Sequence, residues 1–337
     1  MKIDNQRKST TQKTLRQSIL YVGVGLHTGK KVSMVITPAE PNNGIYFLRR
    51  DAAPGTGLIA ARWYNVVDTK LCTELGNEHG VTVKTVEHLL AALNGCGIDN
   101  AIIELDGPEV PIMDGSSNPF VSTIERVGTV EQEMPRNVIW VHKPLEIRDG
   151  ERHVAILPSN RPMITVGINF PNTVVGAQTF SVELINEAFR RDVARARTFG
   201  FAQDIDALQK RGFALGGSLK NAVLVDGDRI VNGDGLRYPD EFVRHKILDV
   251  LGDMTLAGVP VMGHFYAYKP GHDLNNALIK RLFEERSAWS YISMDEFYER
   301  IETSEASTNG LSHADVHVND EGEFEGVTLL RTGDAAN

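Results

Sequence analysis

Between residues 14 and 36 apolar and polar positions alternate, as in Lys31-Val-Ser-Met-Val-Ile36, and a period of two predicts strands buried on one face. The glycine-rich Gly23-Val-Gly-Leu-His-Thr-Gly29 connects them. Residues 44–50 read as a further strand and 51–80, broken by Gly and Pro, as an irregular insertion. At 83–93 the period changes: Leu89, Leu90, Ala92 and Leu93 recur at helical spacing, with Thr85 as the expected N-cap and Asn94-Gly95 as the stop. A strand at 100–105 follows, then turns as far as Gly115 and a helix over 119–127.

The second half repeats the scheme. Strands are predicted at 138–142, 146–148, 153–157 and 163–170, and a helix at 180–191. A Gly-rich, apolar insertion at 194–226 precedes a helix at 242–257, a strand at 259–268 and a helix from about 274 to 285. Val86-Glu-His-Leu-Leu90 and Val243-Arg-His-Lys-Ile247 share V-x-H-x-[LI] in corresponding places, so each half would give one histidine to a shared cleft. The expected fold is α+β: two similar domains, 14–130 and 138–300, each a small, mostly antiparallel sheet with one insertion, and helices packed between the two sheets. Residues 1–13 are expected to form a disordered lead-in, 128–137 a linker containing Pro135, and 301–337 an acidic, loosely attached tail.

Composition narrows the function classes. Of 337 residues, 42% are hydrophobic, and the net charge of −9 argues against a nucleic-acid binder, which needs a basic surface. The two cysteines, Cys72 and Cys96, form no C-x-x-C pair, which speaks against a disulfide framework or a thiolate zinc knuckle. No run approaches the ~18 apolar residues of a membrane span, and the N-terminus lacks a signal-peptide core. A cytoplasmic protein is expected.

Candidate chemistry sits on the two matching helices. His245, Asp249 and Asp253 recur every four residues between Val243, Ile247, Leu248, Val250 and Leu251, and a helix turning ~100° per residue puts them in one polar row. Zn²⁺ accepts imidazole nitrogen and carboxylate oxygen, and a catalytic site uses three protein ligands plus water. His245 and Asp249 can supply two, with the third coming from elsewhere. A solvated helix face gives the same spacing. Glu87 and His88, ~100° apart, suit a carboxylate that reaches water beside an imidazole that binds metal. A first-turn glutamate favoured by the helix dipole explains that pair equally well. His27, in its glycine-rich loop, can approach an active site or make local hydrogen bonds.

Several motifs in one order decide between these readings. Gly25-Leu-His-Thr-Gly29, Thr85-Val-Glu-His88, Pro111-Ile-Met-Asp-Gly115, Arg195-Ala-Arg-Thr-Phe-Gly200, Phe242-Val-Arg-His-Lys-Ile-Leu-Asp249 and Lys269-Pro-Gly-His272 resemble the UDP-3-O-acyl-N-acetylglucosamine deacetylases, zinc amidases of lipid A biosynthesis in Gram-negative bacteria. The resemblance runs over about residues 14–295. It implies that His88, His245 and Asp249 hold one Zn²⁺ per chain, that Glu87 is the general base and that His272 is the general acid. It implies further that Asp253 orients His272, that Thr198 supports the oxyanion, and that Lys246 and Lys269 lie near the diphosphate and sugar. Phe199, with the 194–226 insertion, corresponds to the tunnel for the 3-O-acyl chain, and Phe170 to the nucleotide end. There Asn169 departs from the acidic residue the family often carries. A His₂Asp set also accepts Fe²⁺. The implied partner is UDP-3-O-acyl-N-acetylglucosamine and the implied state a monomer. Two other readings are a peptidase-like zinc hydrolase, disfavoured by the lack of H-E-x-x-H, and a non-catalytic nucleotide-sugar or acyl-lipid binding protein on the same fold.

Overall fold

The computed structural model describes residues 9–185, 187–306, 311–318 and 324–331. The chain opens with β1 (Thr11–Leu15), β2 (Ile19–Val24), β3 (Lys31–Pro38), β4 (Ile45–Arg49) and β5 (Leu58–Ala60). Inside the first insertion β6 (Val66–Asp68), β7 (Glu74–Gly76) and β8 (Thr82–Val83) form a small antiparallel sheet. Then come α1 (Glu87–Gly95), β9 (Ala101–Leu105), α2 (Asn118–Val127) and β10 (Thr129–Pro135). The second half runs through β11 (Asn137–Val141), β12 (Leu145–Asp149), β13 (Arg152–Leu157), β14 (Met163–Phe170) and β15 (Gly176–Glu183). Its insertion holds β16 (Phe199–Phe201), α3 (Ala202–Lys210), β17 (Val223–Asp226) and β18 (Arg229–Ile230). The chain continues with α4 (Glu241–Met254), β19 (Val261–Met262), β20 (His264–Tyr268), α5 (His272–Glu284), β21 (Trp289–Ser293), α6 (Met294–Ala306), β22 (Leu311–Val318) and β23 (Phe324–Arg331).

The two halves share one topology. The first main sheet has the order β2-β3-β9-β4-β5, the second β12-β13-β20-β14-β15. In each, a strand that follows the principal helix, β9 or β20, lies in the middle, antiparallel to one neighbour and parallel to the other. Alternation decides which face is inward: in β3 Val32, Met34 and Ile36 are buried. Inward residues of both sheets join α1 and α4 in one hydrophobic cluster. α4 lies on β14 and β15, α5 on β12 and β13, and α1 crosses α4.

That crossing depends on Gly252. A Cβ there would stand 2.1 Å from the Glu87 carbonyl oxygen, a backbone atom that has nowhere to go. Glycine in a helix interior costs ~1 kcal/mol against alanine, so its place here is explained by close approach. Gly252→Ala is expected to destabilise the fold by about 3 kcal/mol or more, because the two helices must separate. Chemical denaturation checks this; an unchanged midpoint would show that the helices are not held at this spacing.

Several boundaries differ from the sequence reading. The stretch 180–191 is not one helix: its first residues finish β15, paired with β14 from Met163↔Glu183 to Phe170↔Gly176. Gln178, Phe180 and Val182 share the better-covered side, a period of two that marks a strand. Strand β1 begins at Thr11, inside the presumed lead-in, whose residues 1–8 lie outside the described ones. Its partner is β10, the polar 128–137 stretch: this linker is a strand, mostly exposed and therefore polar, whose backbone pairs with β1. In the tail, β22 and β23 pair antiparallel; residues 307–310, 319–323 and 332–337 lie outside the described ones.

Candidate active site

The α1–α4 crossing gathers the polar residues of both helices. His88, His245 and Asp249 each offer a donor atom, and these atoms lie within 4.8 Å of one another, all three residues buried. Asp249 Oδ1 is 3.3 Å from His245 Nε2 and 3.6 Å from His88 Nε2, and the two rings meet at 90°. His245 Nδ1 donates to the Ala196 carbonyl at 3.1 Å, which keeps the proton there and leaves the Nε2 lone pair facing Asp249. Burial pushes the His245 pKa down to about 3, so the ring is neutral. Burial would raise Asp249, but the facing His245 and the Lys246 ammonium, 2.8 Å from Oδ2, outweigh it and hold the carboxyl well below its usual range. Two imidazole nitrogens and a carboxylate, with one ring oriented from behind, are the donor set that suits a divalent cation such as Zn²⁺.

A second group abuts the first. Glu87, in the first turn of α1, points Oε1 towards His272 Nε2 at 3.7 Å, while Oε2 accepts the Thr73 backbone N–H at 3.1 Å. His272 begins α5, and its Nδ1 is 2.8 Å from Asp253 Oδ2. Asp253 also accepts the Asn275 amide at 2.8 Å and the Thr73 hydroxyl at 2.6 Å. Burial alone would lower the His272 pKa; Asp253 and Glu87 overcome it and push it up to about 10. Burial raises Glu87 above the usual carboxylate range, against the pull of His272 and His88. The third member of the α4 row, Asp253, thus serves His272 and not the donor trio.

The flanking candidates are arranged as follows. Lys246 sits over the Phe199 ring, its Nζ 5.6 Å from the centroid. Phe199 packs edge-on against Phe170, Phe201 and Phe242, and its ring lies 6.4 Å from that of His245. Thr198 follows two residues after Ala196, with its backbone tied to Gly115 and Val223. Lys269 pairs with Glu151 at 2.7 Å, so the structure draws this cation towards β13's hairpin turn.

The sequence reading missed the groups that hold these residues in place. The Thr85 side chain does not cap α1; Val86 occupies that position, Thr85 adopts φ 57°, and its hydroxyl donates to Glu109. Glu109 also accepts the backbone N–H groups of His27 and Thr28, so His27 belongs to a braced loop, with its ring edge-on to Phe213. Arg197 forms a buried ion pair with Glu241 at the start of α4, which places the Ala196 carbonyl over His245. Asn275 was legible in principle, since i+3 from His272 shares its helix face. Thr73, whose partners are 14 and 180 residues away, left no local signal.

Comparison with known proteins identifies relatives of the chain. The family model for UDP-3-O-acyl N-acetylglycosamine deacetylase matches residues 12–284. Proteins named UDP-3-O-acyl-N-acetylglucosamine deacetylase are similar to the chain in Idiomarina loihiensis (48% identity, covering 85% of this chain and 94% of the relative), Acidithiobacillus ferrooxidans (47%, 85% and 94%) and Myxococcus xanthus (46%, 84% and 90%). Among the described residues no helix is long and apolar enough to cross a membrane.

Proposed function

The chain belongs to the UDP-3-O-acyl-N-acetylglucosamine deacetylase family, and we propose that the paired groups at the α1–α4 crossing carry out that hydrolysis. The enzyme is a hydrolase that releases acetate from the N-acetyl group of UDP-3-O-acyl-N-acetylglucosamine, a step of lipid A biosynthesis. The finer reading adds one Zn²⁺ per chain, a cytoplasmic location and a monomer. The observation that carries the catalytic assignment is the opposition of Glu87 Oε1 and His272 Nε2 beside three converging donors.

His88, His245 and Asp249 would hold the cation, which supplies Lewis acidity, polarising a carbonyl and lowering the pKa of water towards neutrality. Glu87 Oε1 takes a proton from the water that attacks the acetamide carbon. His272 Nε2 gives a proton to the amide nitrogen, which otherwise leaves poorly. Asp253 keeps His272 protonated and fixes its ring through Nδ1. The Thr198 hydroxyl is assigned to the oxyanion, Lys246 and Lys269 to the diphosphate and sugar, Phe199 to the acyl chain and Phe170 to the nucleotide end. The test is direct: purified protein releases acetate from this substrate, stops with a chelator and resumes with Zn²⁺. Substrate binding without acetate release would favour the non-catalytic reading.

The pKa directions support a bell-shaped pH profile. Glu87 must be deprotonated and His272 protonated, so turnover is lost as pH falls through the Glu87 pKa and as it rises through that of His272. A bound dication moves both limbs downward but keeps their order. His272→Ala is expected to lower turnover by about 10²–10⁴-fold and to remove the alkaline limb. An unchanged bell in the variant would refute the assignment.

A further inference from the structure

We propose that the outer face of the second main sheet is a docking surface, and that its occupant is this chain's own C-terminal hairpin, β22 with β23. The central strands of that sheet, β13 and β20, bury both sides. Val154, Ile156, Val166, Phe265 and Ala267 belong to the main core on the helix side. On the opposite side Ala155 pairs with Tyr266, Leu157 with His264 and His153 with Tyr268. Ala155, Leu157, Tyr266 and Tyr268 are each 1–2% exposed, yet they enter neither hydrophobic cluster. Something other than the helix layer covers them.

The first sheet, with the same topology, provides the comparison. Its corresponding central strands leave Val35 on β3 and Ile102 on β9 only half-buried on their outer side, and edge-strand Leu20 and Val22 are 65% and 64% exposed. Topology alone therefore does not close such a face. Strand β22 comes within 8 Å of β20, Cα to Cα. The hairpin's register pairs Ala314 with Leu329, Asp315 with Thr328 and Val316 with Val327, residue types that are apolar, polar and apolar in turn. A two-stranded ribbon is marginal alone and needs a surface to pack against. An apolar sheet face likewise needs a cover to avoid association. The two requirements meet. The hairpin also lies beyond residues 12–284, the stretch matched by the family model, so the cover is an addition to the shared scaffold.

The test is amide hydrogen exchange on the full-length chain. Amides of residues 311–318 and 324–331 are expected to exchange at least about tenfold more slowly than in an unstructured peptide. Ala155→Glu, which places a charge beneath the cover, should abolish that protection while α1 and α4 stay protected. In a chain cut after Ala306 whose α1 and α4 amides remain protected, Tyr266 and Tyr268 should become open to chemical nitration, which they resist in the full chain. Hairpin amides exchanging at peptide rates in the unaltered protein would overturn the proposal. So would protection that survives Ala155→Glu in a folded variant, or tyrosines still shielded after truncation.

Discussion

Replacing Glu87 by glutamine is expected to cut turnover by about 10³-fold while leaving the bound metal in place. The glutamine carbonyl can still accept the Thr73 N–H that Glu87 Oε2 accepts now, at 3.1 Å, so the side chain keeps its position. What disappears is an acceptor for the proton of the attacking water. A second consequence separates this role from a structural one. Glu87, 3.7 Å from His272, is one of the two charges that lift the His272 pKa, so in the variant the alkaline limb should move to lower pH. Steady-state kinetics against pH, with metal analysis of the same preparation, reads both effects. Loss of the metal in Glu87→Gln would show that the carboxylate is a ligand and the base has been misassigned.

Asp249→Ala is expected to have the other large effect, this time on the metal. Asp249 supplies the negative charge of the donor trio, and both His88 and His245 face its Oδ1. Removing it leaves two imidazoles and strands the Lys246 ammonium, now 2.8 Å from Oδ2, beside the vacated space. Repulsion between that ammonium and a dication adds to the lost bond. The affinity loss should therefore exceed the ~100-fold that follows removal of an outer-shell partner. Equilibrium dialysis followed by metal quantification checks it. An Asp249→Ala protein that retains one equivalent would place the metal elsewhere.

How much of this was legible beforehand follows from how local each signal is. The His245-Asp249-Asp253 row is readable because helical periodicity puts four-residue steps on one face, and the structure keeps all three buried. The pairing of the two halves was visible only as V-x-H-x-[LI], yet it marks helices that meet at Gly252. Periodicity alone could not show that Asp253 turns to His272 rather than to His88. That depends on where α5 begins, 19 residues on. The strand at 176–183 was misread because its period of two shows in only three inward positions, Gln178, Phe180 and Val182. Thr73 and the Arg197–Glu241 pair depend on contacts between distant segments, which no window of sequence contains.

The most direct test of the account is reconstitution of the metal-free chain with Zn²⁺ in measured steps, following acetate release from UDP-3-O-acyl-N-acetylglucosamine. If His88, His245 and Asp249 grip a single catalytic cation, activity is absent at the start, rises linearly and reaches its plateau at one equivalent per chain. Acetate release by the metal-free protein, or a rise that Asp249→Ala reproduces at the same stoichiometry, would contradict it.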